Sequence, residues 1–304
     1  MISRQAQQFW TFAANSPKLS EMPLDLRRRS GERAEGLTAE PRGIAFSPAP
    51  EVAGLWAEPP EPQPGAAILY LYGGGHVLGS PKSRRKTAGH IAIAAKTRVL
   101  IPAYRLAPEN PFPAGVDDAV NAYEWLLTQG ADPTKTVVAG DSAGGGLAFA
   151  TLLAARDRDL PMCAGIVAIS PWTDLTCSGE SYASRAAVDI EFTRASLLET
   201  ARLYMGGADP RHPLASPLFA DLAGLPPILC IAGADEILLD DALRLVRKAA
   251  IEGVDATAVI TAGMQHVYPI WAGVFPEADA AIALIGDWVR GRIIAADRRG
   301  PELF

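Results

Sequence analysis

The chain is poor in the residues that mark disulfide scaffolds and metal sites. Its only cysteines are Cys163, Cys177 and Cys230, and its only histidines are His76, His90, His212 and His266. An odd, widely spaced set of cysteines offers no paired framework, and nothing in it matches a metal-ligand spacing. Cys163 and Cys230 lie in apolar, strand-like runs and read as small core residues. No apolar run approaches the roughly 20 residues that span a bilayer. The stretch from Met1 to Trp10 lacks a signal peptide's apolar segment. Basic residues cluster only at Arg27-Arg28-Arg29 and Arg84-Arg85-Lys86, within a net charge of −6. These absences lead to the expectation of a reduced, cytoplasmic protein with no nucleic-acid partner, no membrane partner, no metal and no cofactor.

What is present is the composition of a large globular domain. Of 304 residues, 49% are hydrophobic and 20% charged, enough to bury a core without staples. Residues 1–42 are helical in flavour and carry Phe9, Trp10, Phe12, Leu19, Met22, Leu24 and Leu26, an apolar set suited to packing on a body formed later. A Pro-rich stretch follows, with short strand-like pieces at 44–46 and 52–56. Then apolar runs at 67–72, 99–104, 136–139, 164–170, 228–233 and 256–260 alternate with helical segments at 87–96, 115–129, 145–154, 239–251 and 278–293. Such β-α alternation predicts a mainly parallel sheet flanked by helices, with ligands at the carboxyl ends of the strands. Residues 176–215 break the alternation and read as an insertion over those ends.

Gly140-Asp141-Ser142-Ala143-Gly144 fits G-x-S-x-G, with a strand-like run before it and a helical run after it. That pattern places a serine on a sharp, strained turn with its hydroxyl above the sheet. A serine hydroxyl is a weak nucleophile and needs a base, and the base needs an orienting group. His266 is the base expected here, because it follows the strand at 256–260 and so lies on the edge that carries Ser142. His90 falls inside a helical run and His212 beside Pro213, so both read as structural or solvent-facing. Asp235 follows the run at 228–232 and is the expected orienting carboxylate. Its rivals are Glu236, expected to point elsewhere as the adjacent residue, and Asp240 and Asp241, explained as acidic residues at a helix N-terminus. Tyr72-Gly73-Gly74-Gly75-His76 follows a strand and offers backbone N–H groups for a developing oxyanion.

Taken with Tyr104-Arg105-Leu106-Ala107-Pro108-Glu109 and Pro111-Phe112-Pro113-Ala114, these blocks make the chain from about residue 43 onward resemble the hormone-sensitive lipase family of α/β-hydrolases, in its bacterial carboxylesterase branch. The resemblance implies an eight-stranded, mostly parallel sheet in a catalytic domain over 43–304, capped by residues 1–42 and 176–215. It implies a serine carboxylesterase for short to medium acyl esters, with Ser142 as nucleophile, His266 as base and acid, and Asp235 as orienter. The backbone N–H groups of Gly74, Gly75 and Ala143 would form the oxyanion hole. A homodimer joined through the last strand is a further implication. Two positions depart from the family pattern. Tyr72 stands where histidine usually braces the glycine loop, and Glu236 where proline is usual. Tyr72 is expected to brace the loop through its hydroxyl, the other roles open being a pocket wall or a brace shared with His76. Tyr182, Tyr204 and Trp271 are further candidates for pocket walls.

Two other functions use the same residues differently. Lactone, amide or carbamate hydrolysis would run through the same acyl-enzyme. A non-catalytic small-molecule receptor on this fold would normally lack one of the three catalytic side chains, and here all three residue types are present.

Overall fold

A computed structural model describes residues 2–299. In chain order it contains α1 (Arg4–Ala14), α2 (Leu24–Ala34), β1 (Ala45–Ala49), β2 (Gly54–Glu58), β3 (Ala67–Leu71), α3 (Pro81–Ala95), β4 (Arg98–Ile101), α4 (Ala114–Thr128), β5 (Thr136–Asp141), α5 (Ala143–Asp157), β6 (Gly165–Ile169), α6 (Ser181–Ser184), α7 (Arg194–Met205), β7 (Ile228–Gly233), α8 (Leu239–Ile251), β8 (Ala256–Thr261) and α9 (Pro276–Arg299). The eight strands form one sheet in the order β1-β2-β4-β3-β5-β6-β7-β8. β1 pairs antiparallel with β2, and β2 with β4; every later pairing is parallel. The α/β class expected from the alternation is therefore the one observed.

Position in the sheet explains composition. β3, β5, β6 and β7 are buried at every residue, which is why they read as unbroken apolar runs. β8 closes one edge and is half-exposed along its length. β1 closes the other and carries Pro48, tolerated because an edge strand has one unpaired side. The run at 99–104 yields a strand only to Ile101, since Pro102 has no N–H to continue the ladder. α3 begins at Pro81, earlier than the apolar pattern suggested. Ser80 and Ser83 form a reciprocal capping box there, and proline suits the first helical position.

Small residues let the helices approach closely. A Cβ at Gly286 of α9 would lie 2.5 Å from the Ala94 backbone of α3. One at Gly146 of α5 would lie 2.2 Å from the Trp172 carbonyl oxygen. α8 is amphipathic, with Leu239, Ala242, Leu245 and Ala249 buried at helical spacing. Cys163, Cys177 and Cys230 are all free and buried. Among the described residues, no helix is long and apolar enough to cross a membrane.

Candidate active site

β5 ends at Asp141 and α5 begins at Ala143, leaving Ser142 alone in the turn with φ 55° and ψ −124°. L-residues rarely adopt this conformation, and it is sustained by surrounding structure. The Ser142 N–H donates to the Ile169 carbonyl at 2.8 Å, and the Ser142 carbonyl accepts from the Trp172 N–H at 2.9 Å. The flanking glycines are needed for space. A Cβ at Gly140 would lie 2.2 Å from the Gly144 oxygen, and one at Gly144 would lie 2.1 Å from the Leu71 oxygen.

The loop after β8 brings His266 to this turn, with Nε2 2.9 Å from Ser142 Oγ. On the far side of the ring, Nδ1 is 3.1 Å from Glu236 Oε2. The carboxylate at the histidine is thus Glu236, and the expectation of Asp235 is corrected. Beyond Gly233 the chain runs against the histidine loop. A Cβ on Gly233 would lie 2.1 Å from the Met264 oxygen, and the Asp235 N–H donates to that same oxygen at 3.0 Å. This backbone contact leaves the Asp235 side chain half-buried with no bond to His266. The longer Glu236 side chain is fully buried and reaches the ring. The departure from proline at 236 was the one signal in the sequence that singled this residue out.

Burial opposes a charge on His266, but the hydrogen bond that Nδ1–H donates to Glu236 and the charges of Glu236, Asp189 and Asp141 outweigh it, so the ring's pKa is raised. A second correction concerns Asp240 and Asp241, which do more than face a helix dipole. Buried Asp241 accepts from the N–H groups of Thr173 and Asp174, both at 2.8 Å, and from the Tyr182 hydroxyl at 2.9 Å. Asp240 accepts from the Ser181 N–H at 2.9 Å. Together they tie the insertion to α8. His90 Nε2 lies 3.0 Å from the Ala39 oxygen, and His212 Nδ1 accepts from the Leu214 N–H at 3.2 Å, both away from the cavity.

The glycine loop after β3 faces the elbow. Gly74 and Gly75 have φ of 129° and 62°, and with Ser142 and His266 they line one cavity. Positive φ at both positions turns the chain tightly enough for backbone N–H groups to approach a ligand. Ala143 is the first residue of α5, so its N–H has no partner within the helix. Asp141 joins loop and elbow. Its carboxylate accepts from the Gly73 N–H at 3.0 Å, the Tyr70 hydroxyl at 2.8 Å and Arg84 Nε at 3.2 Å.

Tyr72 is buried and does not line the cavity, which removes it as a pocket wall. Its ring stacks on Tyr104 with centroids 4.2 Å apart, and its hydroxyl accepts from the Tyr104 N–H at 3.3 Å. The Tyr104 hydroxyl in turn donates to the Tyr72 carbonyl, so the pair braces the end of β3. His76 also stays out of the cavity. It stacks on Tyr204 with centroids 3.8 Å apart, and burial pushes its pKa down to about 3, so the ring is neutral.

The cavity encloses about 370 Å³. Residues 1–42 supply Phe9, Trp10, Leu19 and Met22 to its walls, and the insertion supplies Ile190, Glu191, Phe192 and Leu197. Of the three candidate walls, Trp271 lines the cavity and meets the Phe9 ring at a tilt, centroids 4.6 Å apart, whereas Tyr182 and Tyr204 are buried packing. Phe192 meets the His266 ring edge-on at 5.1 Å. Among the described residues, no group of three or more His, Cys, Asp or Glu side chains could hold a metal ion.

Glu191 is the unexpected acid in this cavity, and burial pushes its pKa up to about 7. The folded state therefore holds this proton more tightly than the unfolded chain, whose glutamate titrates near 4.3. The stability it contributes is complete below that unfolded value and is lost as pH rises to about 7. Glu191→Gln cannot ionise but keeps an acceptor for the Ser20 N–H, which lies 3.3 Å from Oε1. It is expected to melt roughly 2–4 °C above the unsubstituted protein at pH 8, with a smaller difference at pH 5, read by scanning calorimetry. Equal differences at the two pH values would rule out the ionisable group as the cause.

Comparison with known proteins places this geometry in a wider setting. A family profile described as the α/β-hydrolase fold matches residues 68–270. The chain is 42% identical over 283 residues to a Streptomyces hygroscopicus protein named acetyl-hydrolase, covering 88% of this chain and 93% of that one. It superposes with a TM-score of 0.91 on an esterase from the bacterial hormone-sensitive lipase family, at 40% identity over 96% of this chain and 99% of the other. A structure of EstE5 that was soaked with p-nitrophenyl butyrate gives a TM-score of 0.90 at 40% identity and the same coverage.

Proposed function

This chain belongs to the α/β-hydrolase family as a carboxylic-ester hydrolase of the bacterial hormone-sensitive lipase type, and we propose that it works through Ser142, His266 and Glu236. The observation that carries this reading is the continuous relay from Oγ to Nε2 at 2.9 Å and from Nδ1 to Oε2 at 3.1 Å. Ser142 Oγ attacks the ester carbonyl while His266 Nε2 takes its proton. Glu236 holds the ring and balances the imidazolium charge. The N–H groups of Gly74, Gly75 and Ala143 receive the oxyanion. The alcohol leaves with the proton from Nε2, and a water activated by the same nitrogen then releases the acid.

Residues 1–42 and 176–215 act as a cap that sets substrate size over a catalytic domain of residues 43–304. The apolar walls and modest volume favour short to medium acyl chains, as do the names of the relatives. The three free cysteines fit a cytoplasmic setting, and the half-exposed edge of β8 fits a homodimer. The test is a panel of p-nitrophenyl acetate, butyrate and decanoate with ε-caprolactone, followed by mass spectrometry after a fluorophosphonate probe. The expected result is covalent labelling at Ser142 and kcat/KM for the two short esters at least about tenfold above the other substrates, roughly what 1.4 kcal/mol of transition-state binding confers. Labelling elsewhere would remove the nucleophile assignment, and faster lactone opening would change the substrate class.

A further inference from the structure

We propose that Asp189, in the insertion, is a positioning residue for the acid–base pair, fastening the cap segment Val188–Phe192 to the loop that carries Glu236. The inference rests on the reading of Glu236 given above.

Asp189 is 4% exposed and its carboxylate faces three backbone donors. Oδ1 accepts from the N–H groups of Glu191 at 2.8 Å and Phe192 at 2.7 Å. Oδ2 accepts from the Ile237 N–H at 2.8 Å, one residue beyond Glu236. One side chain therefore shapes a cavity wall and pins the backbone of the triad acid. The same segment is tied to the histidine loop. Gln265 Nε2 donates to the Val188 oxygen at 3.0 Å, and Gln265 Oε1 accepts from the Ile190 N–H at 3.3 Å. Phe192 then packs on the His266 ring. Both halves of the Glu236–His266 pair thus lean on five residues of the insertion.

The chemistry favours a carboxylate at 189 over an amide. Three N–H groups converge on it, and an ionised carboxylate is acceptor-only. Asparagine fits the volume but must turn its NH₂ toward one set of donors, leaving a buried N–H unpaired. The Asp189 charge also helps to raise the His266 pKa, alongside Glu236 and Asp141, while the His266 charge in turn acts to lower the pKa of Glu191.

The experiment compares Asp189→Asn in the wild-type and Glu236→Gln backgrounds with a fluorogenic acetyl ester, with thermal melts as a check on folding. If Asp189 acts through Glu236, D189N lowers kcat about 10- to 100-fold with little change in KM, the scale expected for a catalytic group displaced by about an ångström. The acid limb of the kcat/KM profile moves to lower pH. In the E236Q background the same substitution then costs less than about twofold, because coupled sites are not additive. Equal losses in both backgrounds, a loss confined to KM, or no loss would overturn the proposal. Wild-type activity in E236Q alone would instead remove the reading of Glu236. Should D189N fail to fold, Asp189→Ser decides the matter on the same criteria, since a serine can keep the local turn but cannot reach Ile237.

Discussion

Ser142→Ala is expected to lower kcat for p-nitrophenyl acetate by about 10⁵- to 10⁶-fold, leaving KM within a few-fold of its starting value. The substitution removes the atom proposed to form the acyl bond and leaves the rest of the cavity lining in place. Alanine must still accept φ 55° at this turn, which serine already does, so the melting temperature should change little. The residual rate should remain above the uncatalysed reaction, because oxyanion donors and binding persist when a triad member is lost. Steady-state kinetics with a probe-labelling control measures this. A variant retaining a tenth of the original kcat would show that Ser142 does not form the acyl-enzyme.

Glu236→Gln is expected to lower kcat by about 10³- to 10⁴-fold, whereas Asp235→Asn changes it by less than about threefold. Glutamine keeps the volume of Glu236 but not the charge that balances an imidazolium. The pH profile gives a second readout. His266 must be neutral to accept the serine proton, so activity falls as pH drops through its pKa. Burial opposes the protonated ring, but the Glu236 hydrogen bond and charge raise the pKa, so the acid limb of the wild-type protein lies above the ordinary imidazole value near 6.5. In E236Q the carboxylate charge is gone and only a neutral amide oxygen is left to accept from Nδ1, so burial acts with less opposition and the limb moves to lower pH. In D235N the limb should stay in place. The reverse pattern, with the large loss at Asp235, would mean that the loop after β7 rearranges before catalysis.

Much of the site is legible along the chain because its causes are local. Gly140 and Gly144 leave room for an elbow that any side chain would block, so the serine announces itself. His266 could be placed because parallel strands bring their carboxyl ends to one edge, whatever the rest of the fold does. The two neighbouring carboxylates could not be separated this way. Asp235 and Glu236 differ by one methylene and one position, and the expectation that the second would face away from the histidine failed. Tyr72 shows a milder version. Its bulk was evident, but its stacking partner, Tyr104, lies 32 residues further on. Asp189 carries no motif at all, and the role proposed for it rests on three N–H groups, one of them 48 residues away.

The order of strands and helices, the serine turn, the glycine loop and the histidine at the end of β8 were determined by the sequence alone. Periodicity, proline and glycine act over a few residues, and the β-α rhythm leaves one chemically useful edge. The tertiary structure decided which acid meets the histidine, which aromatic side chains line the cavity, and how the insertion grips the loops that carry Glu236 and His266. Those outcomes depend on where backbone carbonyls such as that of Met264 come to rest after distant segments pack, and no local pattern in the chain encodes that position.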